Sequence, residues 1–354
     1  MERTKHSESL SSQMKRRIRS SEGERRSGKP EYDGDVGTVI STGSTLLDLA
    51  ISGGRVRGGG IPGGILVEAF GPSGSGKTVL LCEIAGDVQR KGGQVMFKDP
   101  EARLNPTFAR IFDLDTDTMI YSKPNTVPEV FKAVRDWQPE GKKVIHGIFA
   151  DSTAALSTDQ EMEKDEGDKM GMRRAKEFSE ELRKTCRVIA EKNYLMVCSN
   201  QVRINVGASP YEQKYIAPGG EAMGFYSSLR LRFMKPEKIK EKRRVAGKEV
   251  VRVVGVDVKI EVFKSSIWKP FHIAPVTILF DYGVDDIRQN LQFIKDYTKM
   301  TVYGINGEGL GKSMEEAIQA VEKDHLEDIL KEEVIDLWEE IESKFESERK
   351  PKRP

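Results

Sequence analysis

From Val39 onward the apolar positions fall into two periods, one of strands and one of helices. VISTGSTLLDLAI gives a short strand, a turn and a helix through Leu46, Leu47 and Leu49. ILVEAF (65–70) is an apolar run of strand length, and Leu80, Leu81, Ile84, Ala85 and Val88 then recur at helical spacing. Residues 94–98 read as a second strand, KVIHGIFADS as a third through Ile148, Phe149 and Ala150, and YLMVCSNQVR (194–203) as a fourth. Helical stretches at 106–113, at 127–137 and through Leu182, Val188 and Ile189 separate them. Apolar strands alternating with helices predict a sheet that is parallel and covered on both faces. Further on, SSLRLRFMK, EVVRVVGVDVKIEVFKSS and PVTILFDYG alternate strongly and predict largely antiparallel strands, with the basic run KPEKIKEKRR (235–244) in the turn between the first two. From Asp285 the pattern is helical and acidic, and Leu330, Val334, Leu337, Trp338, Ile341 and Phe345 share one face of a last helix.

The two ends differ from this core. Residues 1–30 carry nine basic and four acidic side chains with little apolar pattern, which reads as a solvated arm. Leu10, Met14 and Ile18 fall at i, i+4 and i+8 within it, so a short docking helix is the other reading. The pattern thus divides the chain into an arm (1–37), an α/β core (38–284) with a central mixed, mainly parallel sheet, a small α+β domain (285–345) and a basic tail (346–354).

Charge adds little at the scale of the whole chain. The 57 basic and 56 acidic residues leave +1, so a nucleic-acid surface has to be local. No apolar run is long enough to span a membrane, and the basic N-terminus lacks the apolar stretch of a secretory signal. Cys82, Cys186 and Cys198 are far apart and lie in apolar patterns, as expected of buried free thiols in a reducing cytoplasm.

Chemistry enters at GPSGSGKT (71–78), which fits G-x-x-x-x-G-K-[ST] between a strand and a helix. Gly71, Gly74 and Gly76 leave no Cβ between backbone and anion, and Pro72, Ser73, Ser75 and Val79 complete the wrap with their main chain. Lys77 brings a cation to the β- and γ-phosphates, and the Thr78 hydroxyl is suited to Mg²⁺. A nucleoside triphosphate is the ligand this pattern predicts. A strand ending in Asp151 some way after that loop supplies the metal carboxylate beside the Thr78 ligand. Past Gln201, a long polar loop carries Arg203, Tyr211, Lys214 and Tyr215, cations and stacking faces suited to single-stranded nucleic acid; a flexible surface loop is the alternative.

These segments, with FKDPEARLNPTFAR, FADSTAALS, EGDKMGMRRA, PGGEAMGFYSSLRLRF and KMTVYGINGEGLGKSMEEAIQAVEKD, resemble the bacterial RecA recombinase family in order and interval, from about residue 38 to 341. The resemblance implies a RecA-like P-loop ATPase core that binds ATP and Mg²⁺. It also implies filaments on single-stranded DNA, pairing with double-stranded DNA, and ATP held between head-to-tail subunits of a helical homo-oligomer. Residue by residue, it assigns Glu101 to water activation, Phe108 to adenine stacking, and Gln201 to sensing the γ-phosphate. It places a first DNA loop at 161–171, with Met170 as an apolar wedge, and a second at 202–220. Arg173, Arg174, Arg183 and Arg203 become the nearby candidates for DNA phosphates. Phe225 becomes a subunit contact, and Lys264 a cation reaching the neighbouring subunit's nucleotide.

Departures from the family pattern are local. Ser266 stands where a second interface lysine is expected, which leaves three readings open: Lys264 suffices, Lys269 substitutes, or turnover is slow. Asn105 stands in place of an Asp near the adenine. The basic ERKPKRP replaces an acidic tail, so weaker autoinhibition of duplex binding is expected. Two rival functions follow, an ATP-gated single-strand-binding scaffold with little turnover and a ring-forming helicase or ATPase of the same fold.

Overall fold

The computed structural model describes residues 37–141, 144–158, 170–201, 203–204, 215–216, 222–347 and 349. The arm, most of both expected DNA loops and the end of the basic tail lie outside the described residues. Strand β1 (Val39–Ile40) pairs with β2 (Ile61–Pro62), and helix α1 (Thr45–Ser52) between them starts at Ser44, whose side chain caps Leu47 N–H. The remaining core is built on one sheet. β3 (Ile65–Gly71) is parallel to β7 (Tyr194–Gln201) on one side and to β10 (Leu229–Phe233) on the other. Beyond β7 follow β6 (His146–Ala150), β4 (Val95–Lys98) and the edge strand β5 (Ile120–Ser122), all parallel. Register aligns the carboxyl ends: Gly71 lies opposite Gln201, and Ala150 opposite Lys98 and Cys198. Ligands of open α/β sheets bind along such an edge.

Helices cover both faces, so these strands are apolar throughout rather than alternating. α2 (Lys77–Arg90) lies over β3, β4, β6 and β7 and buries Leu80, Leu81, Ile84 and Val88. On the opposite face α4 (Val127–Asp136) and α5 (Met170–Glu191) bury Phe131, Phe178 and Leu182 against Leu66, Ile148 and Met196. Their amphipathic spacing is what the sequence shows. The five-residue helix α3 (Pro106–Arg110) takes Asn105 as its cap, the side chain accepting Thr107 N–H at 2.8 Å.

The antiparallel half is as expected but for one correction. β10 is parallel to β3 and antiparallel to β12 (Lys248–Ser265), so it is the strand where the sheet changes sense. β13 (Ile273–Leu279) and β14 (Gly283–Val284) then continue antiparallel. The basic run 235–244 is no turn: β11 (Glu237–Val245) is a nine-residue strand paired with β12. Its side chains are exposed on both faces, so it needed no apolar alternation, and the sequence carried no strand signal. Its turn is Ala246-Gly247, both at positive φ, the tight geometry that matches strand twist.

One half-buried carboxyl ties α2 to the end of the sheet. Glu83 accepts Val284 N–H at 3.1 Å, and burial, with smaller contributions from Asp113 and Asp286, pushes it up to about 7 against the pull of that hydrogen bond and Arg90. The folded state therefore holds this proton at pH values where the unfolded chain, titrating near 4.5, has lost it. The resulting stabilisation is full below the unfolded value and disappears as pH rises through 7. In Glu83→Gln, which keeps an acceptor for Val284, the denaturation midpoint should lose this decline; the wild type should drop by on the order of 2–4 kcal/mol across it.

Two compact units divide the described chain, one ending at Asp286 and one beginning at Ile287. In the second, residues after α7 (Asp286–Tyr297) form the hairpin β15 (Tyr303–Ile305) and β16 (Glu308–Gly311), then α8 (Met314–Asp324) and α9 (Glu327–Ser343). Ser313 and Glu316 make a reciprocal capping box at the start of α8. Leu330, Val334 and Trp338 are buried as the period predicts, but Phe345 falls past the helix end and is exposed; Ile335 is buried instead.

Candidate functional site

The carboxyl ends of β3, β4, β6 and β7 converge on a cavity of about 340 Å³, a volume suited to a nucleotide. Its floor is the turn between β3 and α2. Gly76 is the cap of α2 at φ +90°, and a Cβ there would meet Ile278 Cδ1 at 2.2 Å. Gly74, at φ +71°, has nothing within 4 Å of an added Cβ, so the space over the turn is open. No side chain caps α2, which leaves its first N–H groups for an anion. Lys77 bends back over the turn, donating to Gly71 O at 3.1 Å and Pro72 O at 2.7 Å. Burial lowers its pKa, opposed by the charges of Asp151 and Glu101.

Asp151, just after β6, accepts the Thr78 hydroxyl at 2.6 Å and also the Ser199 hydroxyl. Burial raises its pKa, while those two hydrogen bonds lower it. The Thr78–Asp151 pair is a set of hard oxygen donors beside the phosphate cradle, and it fits Mg²⁺ completed by phosphates and water. No cluster of three or more metal-ligating side chains exists among the described residues.

Across the cavity stands the segment after β4. Tyr121 OH and Leu104 N–H donate to Asp99 Oδ2 at 2.9 and 2.8 Å and fix the turn that presents Glu101. Gln201, the last residue of β7, donates to Glu101 Oε1 at 3.4 Å. Phe108 lines the same cavity and meets Phe112 edge-on at 4.8 Å. The sequence-derived residues Ser73–Val79, Glu101, Phe108, Asp151 and Gln201 therefore share one cavity, with Gly71 and Pro72 serving through their carbonyls.

Lys264 and Phe225 lie elsewhere, and together. Lys264 Nζ donates to the carbonyls of Gly224 and Phe225, each at 2.9 Å, on the short helix α6 (Ala222–Tyr226). Phe225 is 75% exposed. Ser266 is exposed beside them, and Lys269 Nζ stands 5.2 Å from the Trp268 ring centroid. Of the DNA candidates, Arg174 donates to the carbonyls of Thr153 (3.2 Å) and Ala154 (2.6 Å), tying α5 to the segment after Asp151. Arg183 is exposed on α5. Met170 and Arg173 belong to the first turns of α5 and Arg203 to the short strand β8 (Arg203–Ile204), but their side chains lie outside the described residues, as does all of Lys214.

Two groups near the site escape the sequence reading. Ser199 sits two residues before Gln201 in an apolar strand, with no pattern to mark it. Glu68 is fully buried inside β3, between Asn200 Nδ2 at 3.0 Å and Arg230 Nε at 2.7 Å. Its signal was visible: one acid within ILVEAF, beside a strand carrying Arg230.

Comparison with known proteins agrees with this geometry. Residues 26–285 match the RecA N-terminal domain. The RecA protein of Lactobacillus delbrueckii subsp. bulgaricus is 32% identical over 297 residues, covering 83% of this chain and 85% of that protein. That of Thermus thermophilus is 36% identical over 252 residues, covering 70% and 69%.

Proposed function

The chain belongs to the RecA recombinase family, and from that premise we propose that it is a DNA-dependent ATPase that forms helical filaments on single-stranded DNA and exchanges strands with homologous double-stranded DNA. The observation that carries this reading is the position of Gln201. It touches Glu101 inside the nucleotide cavity and ends the strand that leads into 202–220, so a change at the phosphate has a short path to the DNA loop.

In this reading the turn 71–79 and Lys77 hold the phosphates, and Phe108 packs on the adenine. Thr78 and Asp151 would hold Mg²⁺, whose positive charge would offset that of the phosphate oxygens. Glu101 takes a proton from the attacking water as its oxygen bonds the γ-phosphorus and the bond to the β-phosphate oxygen breaks. The half-buried Lys264 and the exposed Phe225, together and outside the cavity, serve the neighbouring subunit's site, which makes the assembly heterologous and open-ended. The cytoplasm is its compartment; among the described residues no helix is long and apolar enough to cross a membrane.

Duplex DNA has an exposed cationic surface to meet. On one face of the β11–β12 ribbon, Lys240, Lys242 and Arg244 alternate along the strand, and only Lys242 is ion-paired among the described residues, with Glu249. Lys240→Ala and Arg244→Ala should each reduce the salt slope of duplex binding by about 1. Unchanged slopes would remove the ribbon from the DNA contact.

The decisive test of function is exchange between single-stranded circles and homologous linear duplex with ATP. Joint molecules that need homology and ATP are expected. Single-strand binding without them would favour the scaffold reading, and directional unwinding of a fork the ring-forming one.

A further inference from the structure

The carboxylate assigned to water activation is not free in this structure. Glu101 is 15% exposed, and Arg103 Nη1 lies 2.5 Å from its Oε2, while Gln201 holds the other oxygen. Between them Ala102 adopts φ +53°, an unfavourable conformation for a residue with a Cβ, and it brings the chain back so that residues 101 and 103 meet. Asp99 anchors this turn through Ala102 N–H to its carbonyl (3.1 Å) and Leu104 N–H to its carboxylate. The pair thus rests on a braced turn.

Such a carboxylate is blocked: the guanidinium occupies the lone pairs that would receive a proton. Arg103 itself is loosely held: its side chain is 78% exposed, and it lines the same cavity as the phosphate-binding turn. A planar guanidinium binds phosphate oxygens in paired hydrogen bonds, and a terminal phosphate carries more charge than one carboxylate.

We propose that Arg103 is a triphosphate-sensing residue, which leaves Glu101 for the terminal phosphate of the bound nucleotide and thereby frees the carboxylate to act. The inference rests on the reading of Glu101 as base, but its binding consequences can be measured apart from that reading. Arg103 would hold Glu101 idle when the site is empty or holds a diphosphate, and release it only for a triphosphate.

Equilibrium binding of a non-hydrolysable ATP analogue and of ADP to the full-length protein tests this. Arg103→Ala should weaken the analogue about tenfold and ADP less than about twofold; Arg103→Lys, keeping charge without the fork, should fall between. Removing the competitor should help: Glu101→Gln should bind the analogue about two- to fivefold more tightly, and the double variant should lose that gain. Equal weakening of both nucleotides, or no weakening of either, would overturn the proposal. Turnover of Glu101→Gln reports separately: full turnover there would remove Glu101 as the base while leaving the binding cycle to judge Arg103.

Discussion

Glu101→Gln is expected to slow ATP turnover by roughly 10²–10⁴-fold, the range for loss of a positioned general base, without weakening nucleotide binding. The substitution keeps the size of the side chain and an acceptor for Gln201, and removes the capacity to take a proton at neutral pH together with the charge that pairs with Arg103. The residues expected to hold the phosphates are separate from it: the turn 71–79 and Lys77 on the floor, Thr78 and Asp151 at the metal position. Single-turnover kinetics alongside analogue binding separate the two effects. A matched loss of binding and turnover would mean that Glu101 shapes the pocket rather than acting on water.

The second large effect is on stability. Glu68→Ala should destabilise the folded state by roughly 3–5 kcal/mol, because it leaves a largely buried guanidinium without its carboxylate. Arg230 is 20% exposed in its side chain and lies 4.5 Å from the Phe70 ring centroid and 5.3 Å from that of Phe263, so water reaches it poorly. Asn200 loses its acceptor in the same step. The network joins β3, β7 and β10, the three strands from which the phosphate-binding turn, Gln201 and the sheet's change of sense all proceed. A lower urea midpoint at unchanged slope is the expected signature. Glu68→Gln, which keeps one acceptor oxygen for one of the two donors, should lose less than Glu68→Ala.

What could be read from the chain, and what could not, divides along physical lines. The parallel half was legible because strands buried on both faces must be apolar, and the helices over them must be amphipathic; ILVEAF and Leu80 to Val88 carry both signals. The phosphate-binding turn was legible because its glycines answer a steric demand at fixed spacing. The ribbon was not, since β11 faces water on both sides and backbone pairing leaves no trace in side-chain period. Nor was the role of Ser199, a small hydroxyl in a buried strand whose partner Asp151 lies 48 positions away. Arg103 was passed over for a similar reason: an exposed arginine on a loop is ordinary until its neighbour is seen to be Glu101. The resemblance supplied roles for Gln201, Phe225 and Lys264 that no periodicity contains; within this chain Lys264 donates to the carbonyls of Gly224 and Phe225.

The central claim is that one site couples triphosphate hydrolysis to single-stranded DNA. Its most direct measurement is the rate of ATP hydrolysis by the wild-type chain with and without saturating single-stranded DNA, at fixed salt and Mg²⁺. The rate should rise at least about tenfold on adding the DNA, the outcome expected when DNA binding and closure of the nucleotide site are one transition. A rate indifferent to DNA would contradict it.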